Sequence, residues 1–574
     1  MSRVGDPVAR LRTVRIDGAA KQALETGRNR LLVAGVFFFF AFALIGIRLF
    51  DVSVMKGLDE PRAGTRTDPI TLKTGRADII DRNGVLLATS LWVPSLYADP
   101  QQIIDPQESA RMLVKTLPHL TLEELTAKLS AKKRFVWVQR GLTPRQKYEV
   151  NKLGIPGLHF QHEERRAYPQ GNLTAHIVGF SGTDAVGLAG IEKQFDGLLR
   201  DGAEAVVLSI DIRIQHILRE EIARQIECFD GVGGAGVVLN VVTGEIIAMV
   251  SLPDFDPNLA GDAPADTRFN RATLGVYEMG STFKIFNTAM ALEAGTATLE
   301  SGYDATKPIH FARHTINDYH AKRRWLSVPE IFKYSSNIGS AKMAVEFGSR
   351  TQRRFMEKLG FLDLAPIELP ERGRPIAPSR WGRLSTMTIA YGHGIAVSPV
   401  HLASGVATVV NGGIRWPVTL LKREPELRII GEQVLSGLTS EQMRRLLRLA
   451  VAHGTGRKAS ADGYLVGGKT GTAEKPNARG TYARKSLLSS FVAAFPVDDP
   501  RYVVLVMVDE PKGNVESYGY ATGGWVAAPA VKRIVVRSAP LLGIHPKDEK
   551  SPEIRQILDV NIPQAKGQKR LASF

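Results

Sequence analysis

The most apolar stretch of the chain lies close to its start. Residues 31–47 form a continuous run of 17 apolar positions that ends before Arg48. At about 1.5 Å per residue, a helix of this length spans roughly 25 Å and just crosses a bilayer core. The first 30 residues hold seven Lys or Arg against three Asp or Glu, which predicts that this end stays in the cytoplasm. We predict an uncleaved transmembrane anchor; the alternative is a signal peptide cleaved near Ala41-Phe42-Ala43, although the apolar run continues past that point.

Short strands and amphipathic helices alternate after an extended tether that is rich in Gly, Pro and charges. Asn83-Gly84 lies between two short apolar runs and predicts a hairpin turn. Residues 120–133 and 142–154 repeat apolar positions at helical spacing. Residues 209–229 predict a long amphipathic helix that joins this mixed region to a second unit.

The second unit has the pattern of strands, then helices, then strands. Apolar, β-rich runs lie on both sides of Thr243-Gly244, which predicts another hairpin. Helical patterns follow around residues 281–295, 329–358 and 386–411, and strand patterns return over residues 467–510. This order predicts an α+β domain in which an antiparallel sheet packs against a helical cluster.

A chain of 574 residues exceeds one typical domain, and the patterns divide it into six segments. They are a cytoplasmic tail (1–30), a transmembrane anchor (31–50), a tether (51–74), a mixed α/β domain (75–220), an α+β domain (221–544) and a polar, flexible C-terminal tail (545–574).

Composition narrows the classes of function. The net charge is +16, but the 74 Lys and Arg residues are scattered without a basic tail or an aromatic-basic motif, so we predict no nucleic-acid binding. A basic surface that faces an anionic membrane or wall polymer fits better. The one cysteine, Cys228, excludes an intrachain disulfide and is predicted to be a small buried hydrophobe. His310, His314 and His320 have no carboxylate at ligand spacing, so we predict neither a metal nor a cofactor.

Three short motifs occur in order along the second unit: Ser281-Thr282-Phe283-Lys284, Ser335-Ser336-Asn337 and Lys469-Thr470-Gly471-Thr472. Each is weak alone, because S-x-x-K recurs at Ser53 and Ser130 and K-T-G recurs at Lys73. Context separates the three from these decoys. Ser281 opens an apolar helical run that ends at Gly295, so Ser281 and Lys284 share one face, and the later K-T-G precedes strand-like runs. The set supplies a serine nucleophile, a lysine base, a second hydroxyl and a cation for a carboxylate.

The chain resembles the class B penicillin-binding proteins, and within them the septal peptidoglycan D,D-transpeptidases of bacterial cell division. Beyond the three motifs, the resemblance rests on ordered segments between Gly75 and Ala530. They are residues 76–88, 166–169, 187–195, 209–211, 243–245, 270–272 and 391–394. Residues 491–512 favour the division enzyme over the elongation enzyme of the same class. The chain departs from the family pattern at Met279, where proline usually precedes the glycine, and it lacks the acidic signature of a class A glycosyltransferase domain.

The resemblance implies a penicillin-binding transpeptidase domain behind a non-catalytic pedestal of the dimerisation type. It also implies a single-pass protein of the bacterial inner membrane whose catalytic domain lies in the periplasm. The expected substrates are peptidoglycan stem peptides that end in D-Ala-D-Ala, and the expected inhibitors are β-lactam antibiotics. The expected partners are membrane proteins of the division complex, including a glycosyltransferase.

The resemblance also implies roles for the motif residues. The catalytic set is Ser281, Lys284, Ser335, Asn337 and Lys469, and the substrate-binding set is Thr470, Gly471 and Thr472. Ser281 is the expected nucleophile, and Lys284 becomes its general base if burial and the nearby charge of Lys469 lower the pKa of its amine. Simpler interpretations stay open: Ser335 and Asn337 could be a helix-cap pair, and the two threonines could reflect strand propensity alone.

Four other functions fit part of the pattern. An elongation-type class B enzyme has the same chemistry, and a serine β-lactamase shares the acylation residues but must also activate water. A non-enzymatic β-lactam receptor would need a larger signalling region than 30 residues and one anchor. A division scaffold with an inert catalytic domain would keep the fold without the chemistry.

Overall fold

The computed structural model describes most of the chain. The described residues are 18–50, 75–202, 204–311, 314–424, 430–476, 482–560 and 562. The predicted tether over residues 51–74 lies outside them, as do the decoy motifs at Ser53 and Lys73. By its internal contacts the chain divides into residues 1–73 and residues 74–574.

In the first unit, the described residues form one helix, α1 (Ala19–Phe50). Its portion Thr26–Ile47 is the one segment among the described residues that is long and apolar enough to cross a membrane. The apolar run predicted this helix, which begins twelve residues earlier than the run itself.

The second unit begins with a mixed α/β layer, the pedestal. Its five-stranded sheet has the order β3-β2-β1-β7, and β4 also pairs with β2. The strands are β1 (Ile79–Ile80), β2 (Leu86–Ala98), β3 (Val136–Gln139), β4 (Leu158–Ala167) and β7 (Val206–Val207). The predicted hairpin is present, because Gly84 has a φ of 85° and Ile79 pairs with Ala88 in antiparallel register. A short hairpin of β5 (Phe180–Ser181) and β6 (Gly187–Ala189) lies apart from this sheet.

The pedestal also contains helices. They are α2 (Pro106–Thr116), α3 (Leu122–Leu129) and α4 (Pro144–Lys152), followed by the short helices α5 (Ala175–Val178), α6 (Gly190–Gln194) and α7 (Asp196–Asp201). Leu113, Leu125 and Val150 of α2 to α4 pack with Leu96 and Val138 of the sheet in one apolar core. The two amphipathic segments predicted the positions of α3 and α4.

The catalytic domain is built on a second sheet of five antiparallel strands in the order β16-β17-β18-β8-β9. They are β8 (Gly233–Asn240), β9 (Ile246–Leu252), β16 (Gly467–Pro476), β17 (Tyr482–Phe495) and β18 (Tyr502–Asp509). Both faces of the central strands are buried, so β8, β9 and β18 are largely apolar: Val237 packs into the core on one side and Val238 into the core on the other. The predicted hairpin at Thr243-Gly244 joins β8 to β9.

Helices cover both faces of this sheet. On one face lie α8 (Ile212–Cys228) and α16 (Ala528–Ser538). Six further helices contribute to the apolar core on the other face. They are α9 (Lys284–Glu293), α10 (Val328–Tyr334), α11 (Asn337–Lys358), α12 (Arg383–Ile389), α13 (Pro399–Val410) and α14 (Gly437–His453). Two further helices are α15 (Gly523–Val526) and α17 (Pro552–Leu558), and the remaining strand pairs are β10 (Gly302–Asp304) with β13 (Trp325–Ser327), β11 (Ile309–Phe311) with β12 (His314–Ile316), and β14 (Ile414–Arg415) with β15 (Glu432–Gln433). The α+β prediction is confirmed.

The predicted boundary between residues 220 and 221 falls inside α8. Asp211 caps this helix through its side chain, and Ile214, Leu218 and Ile222 all pack into the core of the catalytic sheet. Helical spacing identified the helix but could not tell which domain buries its apolar face. The helix therefore packs as one element of the catalytic domain.

Two predictions about single regions are wrong. Cys228 is exposed at the end of α8, where the buried face of the helix has already turned away. The chain from His545 is not a flexible tail throughout, because α17 buries Leu558 beside Leu465 and Val497. The polar composition of this stretch concealed a short amphipathic helix; residues 563–574 lie outside the described part of the chain.

Candidate active site

The turn that carries Ser281 is held between two close backbone contacts. Residues Gly280–Phe283 form a single 3-10 turn that continues into α9, so the predicted helix starts with a tighter first turn. Gly280 has a φ of 54°, and a Cβ on it would lie 2.4 Å from the carbonyl oxygen of Thr472. On the other side, a Cβ on Gly392 would lie 2.1 Å from the carbonyl oxygen of Gly280. Only glycine fits at both positions, and Ser281 is thereby pressed against β16.

The Lys284 amine lies at the centre of the site. Its Nζ donates to Ser281 Oγ at 2.9 Å and to Ser335 Oγ at 3.0 Å. It also lies 2.7 Å from Asn337 Oδ1 and 2.8 Å from the Ser335 carbonyl oxygen. Lys284 is 1% exposed, whereas Ser281 is partly exposed. The Lys284 side chain is therefore shielded from solvent, whereas a ligand can reach Ser281.

Burial changes the acid-base properties of both lysines in the cleft. Burial, and then the charge of Lys469, lower the pKa of Lys284 well below its ordinary value, while Asp318 opposes this shift. Burial lowers the pKa of Lys469 to about 7. An amine with a lowered pKa is available in its neutral, proton-accepting form at lower pH.

The second motif occupies the break between α10 and α11. Ser335 ends α10 in the left-handed conformation, with φ 60° and ψ 45°. Ser336, and not Ser335, caps α11: its Oγ accepts from Gly339 N at 3.0 Å. The Asn337 amide donates to the Asn317 carbonyl oxygen at 2.9 Å, while its oxygen faces Lys284. The break aims Ser335 and Asn337 at the lysine, which simple helix capping does not explain.

Sequence reasoning missed Asp318, which supports this break. Its carboxylate accepts hydrogen bonds from Ser336 Oγ at 2.7 Å and from Ile338 N at 2.9 Å. Residues 391–394 belong to the family resemblance, but the sequence did not predict that their turn supports the site. There Glu278 accepts from Gly394 N at 2.8 Å and lies 3.0 Å from His393 Nδ1. No local pattern marks Asp318, because its partners lie 18 and 20 residues away.

The third motif lies on β16, which pairs with β17 through Lys469 opposite Val492. Lys469 is fully buried, and its Nζ donates to Ser335 Oγ at 2.9 Å. Gly471 is required for close packing, since a Cβ there would lie 2.3 Å from Ser490 Oγ. Thr470 shares a 2.9 Å hydrogen bond with Thr455, and Thr472 Oγ1 accepts from Gly523 N at 3.1 Å. Thr472 thus keeps its hydroxyl proton for a ligand.

The structure brings the three motifs to one place. Ser335 Oγ lies within hydrogen-bonding distance of both lysines, so hydroxyl and amine groups form a continuous path from Ser281 to Lys469. The described decoy, Ser130 with Lys133, lies at the exposed end of α3 in the pedestal, away from these groups. Within the described ranges, no three His, Cys, Asp or Glu side chains are grouped as metal ligands. The path can move a proton between a serine nucleophile and a leaving or entering amine.

Comparison with known proteins gives the family. A model described as the penicillin-binding protein transpeptidase domain matches residues 234–535, and one described as the penicillin-binding protein dimerisation domain matches residues 71–221. The chain belongs to the penicillin-binding protein family. It carries both the transpeptidase and the dimerisation domain of this family, and all three motifs lie in the first of these matches.

Individual relatives agree with this assignment. The chain is 42% identical to the probable peptidoglycan D,D-transpeptidase FtsI of Caulobacter vibrioides, over 83% of this chain and 82% of the relative. It is 32% identical to the probable peptidoglycan D,D-transpeptidase PenA of Neisseria meningitidis, over 83% of this chain and 86% of the relative. The crystal structure of penicillin-binding protein 3 from Mycobacterium tuberculosis in complex with aztreonam superposes with a TM-score of 0.66 at 22% identity, covering 83% of this chain and 97% of that one. That penicillin-binding protein therefore shares the fold.

Proposed function

We propose that this chain is a peptidoglycan D,D-transpeptidase that cross-links stem peptides of the septal cell wall through a seryl ester on Ser281. The observation that carries the proposal is the buried amine of Lys284, 2.9 Å from Ser281 Oγ, with a lowered pKa. A serine hydroxyl needs such a neutral base to become a nucleophile. The two relatives named as peptidoglycan D,D-transpeptidases support the same reaction class.

In the first half-reaction, Ser281 Oγ attacks the carbonyl carbon of the penultimate D-Ala. Lys284 takes the hydroxyl proton, the C–N bond to the terminal D-Ala breaks, and the nitrogen of that residue receives a proton through Ser335. We assign the N–H groups of Ser281 and Thr472 to the developing oxyanion, since Gly280 brings these two backbones together. Losing one such donor costs about 3 to 4 kcal/mol of transition-state stabilisation.

In the second half-reaction, an amine of another stem peptide attacks the ester carbon. Its proton passes through Ser335 to Lys284, and Ser281 Oγ leaves with a proton, so a new peptide bond replaces the ester. Lys469 supplies positive charge for the terminal carboxylate of the donor, and the Thr472 hydroxyl donates to it. Thr470 positions this strand through Thr455, Gly471 allows the close approach, and Asn337 orients Lys284. We assign the second amide N–H of Asn337 to the stem peptide.

A β-lactam has a carbonyl and a carboxylate like those of the D-Ala-D-Ala terminus, so the same residues would form a stable ester with it. We therefore propose that β-lactams inhibit this chain by acylating Ser281. The chain shares its fold with a penicillin-binding protein solved with aztreonam, which supports this reading.

We assign the chain to the inner membrane, anchored by α1, with the pedestal and catalytic domain in the periplasm. The basic N-terminal flank supports this orientation, because positive residues stay on the cytoplasmic side. The septal role is supported by the 42% identity to a protein named FtsI and by residues 491–512. The pedestal then provides the surface for division-complex membrane proteins, among them a glycosyltransferase.

Mass spectrometry of the penicillin-treated protein tests the chemistry. We expect one adduct of penicillin mass on the peptide that contains Ser281, and none on a Ser281→Ala variant. A Ser130→Ala variant, which alters the decoy motif, should label like the unmodified protein. An adduct on another residue would overturn the assignment of the nucleophile.

The lifetime of that adduct and a growth assay separate the rival functions. Release within seconds would indicate a serine β-lactamase. Full rescue of division by Ser281→Ala in depleted cells would leave only a scaffold role. Depletion that blocks elongation but leaves septa intact would indicate the elongation enzyme.

A further inference from the structure

A segment beside the second motif carries positive charge that the proposed reaction does not use. Residues 317–324 connect β12 to β13 and are attached to the motif at two points. The Asn317 carbonyl oxygen accepts from Asn337, and Asp318 accepts from Ser336. Beyond Asp318 the chain turns outward, and Tyr319 is 75% exposed. The position of this outer segment is therefore set by the active site itself.

Two lysines converge on the residue that precedes Ser335. Lys322 Nζ lies 4.7 Å from the centroid of the Tyr334 ring, and Lys333 Nζ lies 5.1 Å from it. An aromatic face attracts a cation, so Tyr334 holds both ammonium groups next to the motif. Two like charges near one ring repel each other, and an anion bound between them would relieve that repulsion.

No carboxylate of the described residues neutralises these charges. We define the basic rim as Lys322, Arg323 and Lys333; among the described residues, none of the three forms an ion pair. Neighbouring Arg324 differs, because Glu330 accepts from its two terminal nitrogens at 3.0 and 2.7 Å. The carboxylate of the segment, Asp318, is already engaged by Ser336 and Ile338. The rim is therefore a cationic surface with capacity for an external anion.

The reaction proposed above requires a second anionic peptide near this surface. The donor carboxylate is assigned to Lys469 and Thr472 on β16, where Lys469 Nζ lies 2.9 Å from Ser335 Oγ. The entering amine must return its proton along the path by which the leaving nitrogen received one, so it must reach Ser335. Stem peptides carry free carboxylates, and the remainder of the acceptor must extend from Ser335 across adjacent surface. The rim offers the charge complementary to it.

We propose that the basic rim binds a carboxylate of the acceptor stem peptide and so selects an anionic amine donor for the second half-reaction. This proposal rests on the proposed function. It assigns these three residues to acceptor binding alone. Formation of the Ser281 ester does not depend on them.

The test measures the two half-reactions separately on the full chain in detergent. The donor is a soluble D-Ala-D-Ala pentapeptide, and the acceptors are a short amine-bearing peptide with a free carboxylate and the same peptide as its amide. For Lys322→Gln/Lys333→Gln we expect the KM for the carboxylate acceptor to rise about three- to tenfold, as for one or two exposed ion pairs. The KM for the amide and the rate of penicillin labelling should not change.

A matched control and the salt dependence complete the test. Lys132→Gln/Lys133→Gln removes two exposed pedestal charges and should leave every parameter unchanged. Raising the ionic strength should reduce the preference for the carboxylate acceptor in the unmodified protein only. An unchanged KM, or an equal rise for both acceptors, would overturn the rim as an acceptor site. So would reduced binding of the variant to phosphatidylglycerol vesicles without a change in KM, since that result assigns the charges to a membrane surface. Absence of any penicillin adduct on Ser281 would instead overturn the proposed function.

Discussion

Two clusters of buried cationic side chains in this chain have opposite electrostatic surroundings. In the pedestal, Arg76 and Arg166 are buried against Glu192, whose carboxylate accepts a hydrogen bond from each guanidinium. In the catalytic cleft, Lys284 and Lys469 contact hydroxyl, amide and carbonyl oxygens, and neither forms an ion pair with any described residue. One cluster is compensated by a carboxylate, and the other is not.

The difference matches what each side chain can do with its proton. A guanidinium stays charged in proteins, so its burial requires carboxylates and carbonyls around it. Arg166 accordingly also donates to the carbonyl oxygens of Arg76 and Ala77, at 2.8 and 2.7 Å. An ammonium can lose its proton, so burial without a carboxylate lowers its pKa and creates a base. The pedestal cluster suits the joining of distant segments, and the cleft cluster suits proton transfer.

Replacing the cleft lysine Lys284 with arginine should have the largest effect on the acylation rate. We expect Lys284→Arg to slow penicillin acylation by about 10²- to 10⁴-fold, because a guanidinium cannot accept the Ser281 proton. Stopped-flow labelling measures the rate, and the melting temperature shows whether the variant folds. Lys342→Arg on α11 is the matched control and should acylate normally. Near-normal acylation by a folded Lys284→Arg would show that the base is another group.

Removing the compensation in the pedestal should cost stability and not chemistry. Glu192→Gln leaves two buried guanidinium groups without their shared carboxylate, so we expect a loss of about 3 to 5 kcal/mol in the free energy of unfolding. Denaturant unfolding measures this loss, and the exposed Glu204→Gln should show almost none. The acylation rate per folded molecule should stay the same. A large change in that rate would mean that the pedestal cluster also tunes the active site.

The pH dependence of acylation should show both lysines of the cleft. Lys284 must be neutral, so the rate should rise as pH rises through its lowered pKa. Lys469 must be charged to hold the carboxylate, so kcat/KM for a carboxylate-bearing donor should fall as pH rises through about 7. With a donor that lacks this carboxylate, kcat/KM should still rise from acidic pH but should no longer fall at alkaline pH. The same alkaline fall with both donors would contradict the role of Lys469.

The smallest effect is expected from Asp318, a carboxylate whose charge acts on Lys284. Asp318 raises the pKa of Lys284, against the effect of burial. Asp318→Asn keeps the size of the side chain but removes this charge, so the rise of the acylation rate with pH should begin at lower pH. Asp304→Asn, on β10, serves as the control and should not change the pH at which the acylation rate rises. A shift to higher pH would show that Asp318 acts mainly by holding the Ser336 turn.

Local pattern was sufficient where a short segment carries its own signal. The run before Arg48 predicted α1, and the Asn83-Gly84 and Thr243-Gly244 turns predicted two hairpins. Residue spacing did not predict burial correctly where burial depends on a partner that is distant in the chain. It assigned Cys228 to a core and missed α17, because neither segment shows in its own sequence which surface covers it.

The sequence by itself determined the family, the long apolar N-terminal helix, the α+β order of elements and the motif residues, because motifs and periodicity are properties of neighbouring positions. The tertiary structure alone decided that Ser335 adopts a left-handed conformation between two lysines, that Gly280 is confined by Gly392 and Thr472, and that Asp318 supports the second motif. These relations join residues 18 to 192 positions apart. The lowered pKa of Lys284 belongs to the same class, because it depends on which groups surround an amine after folding and not on its neighbours in the chain.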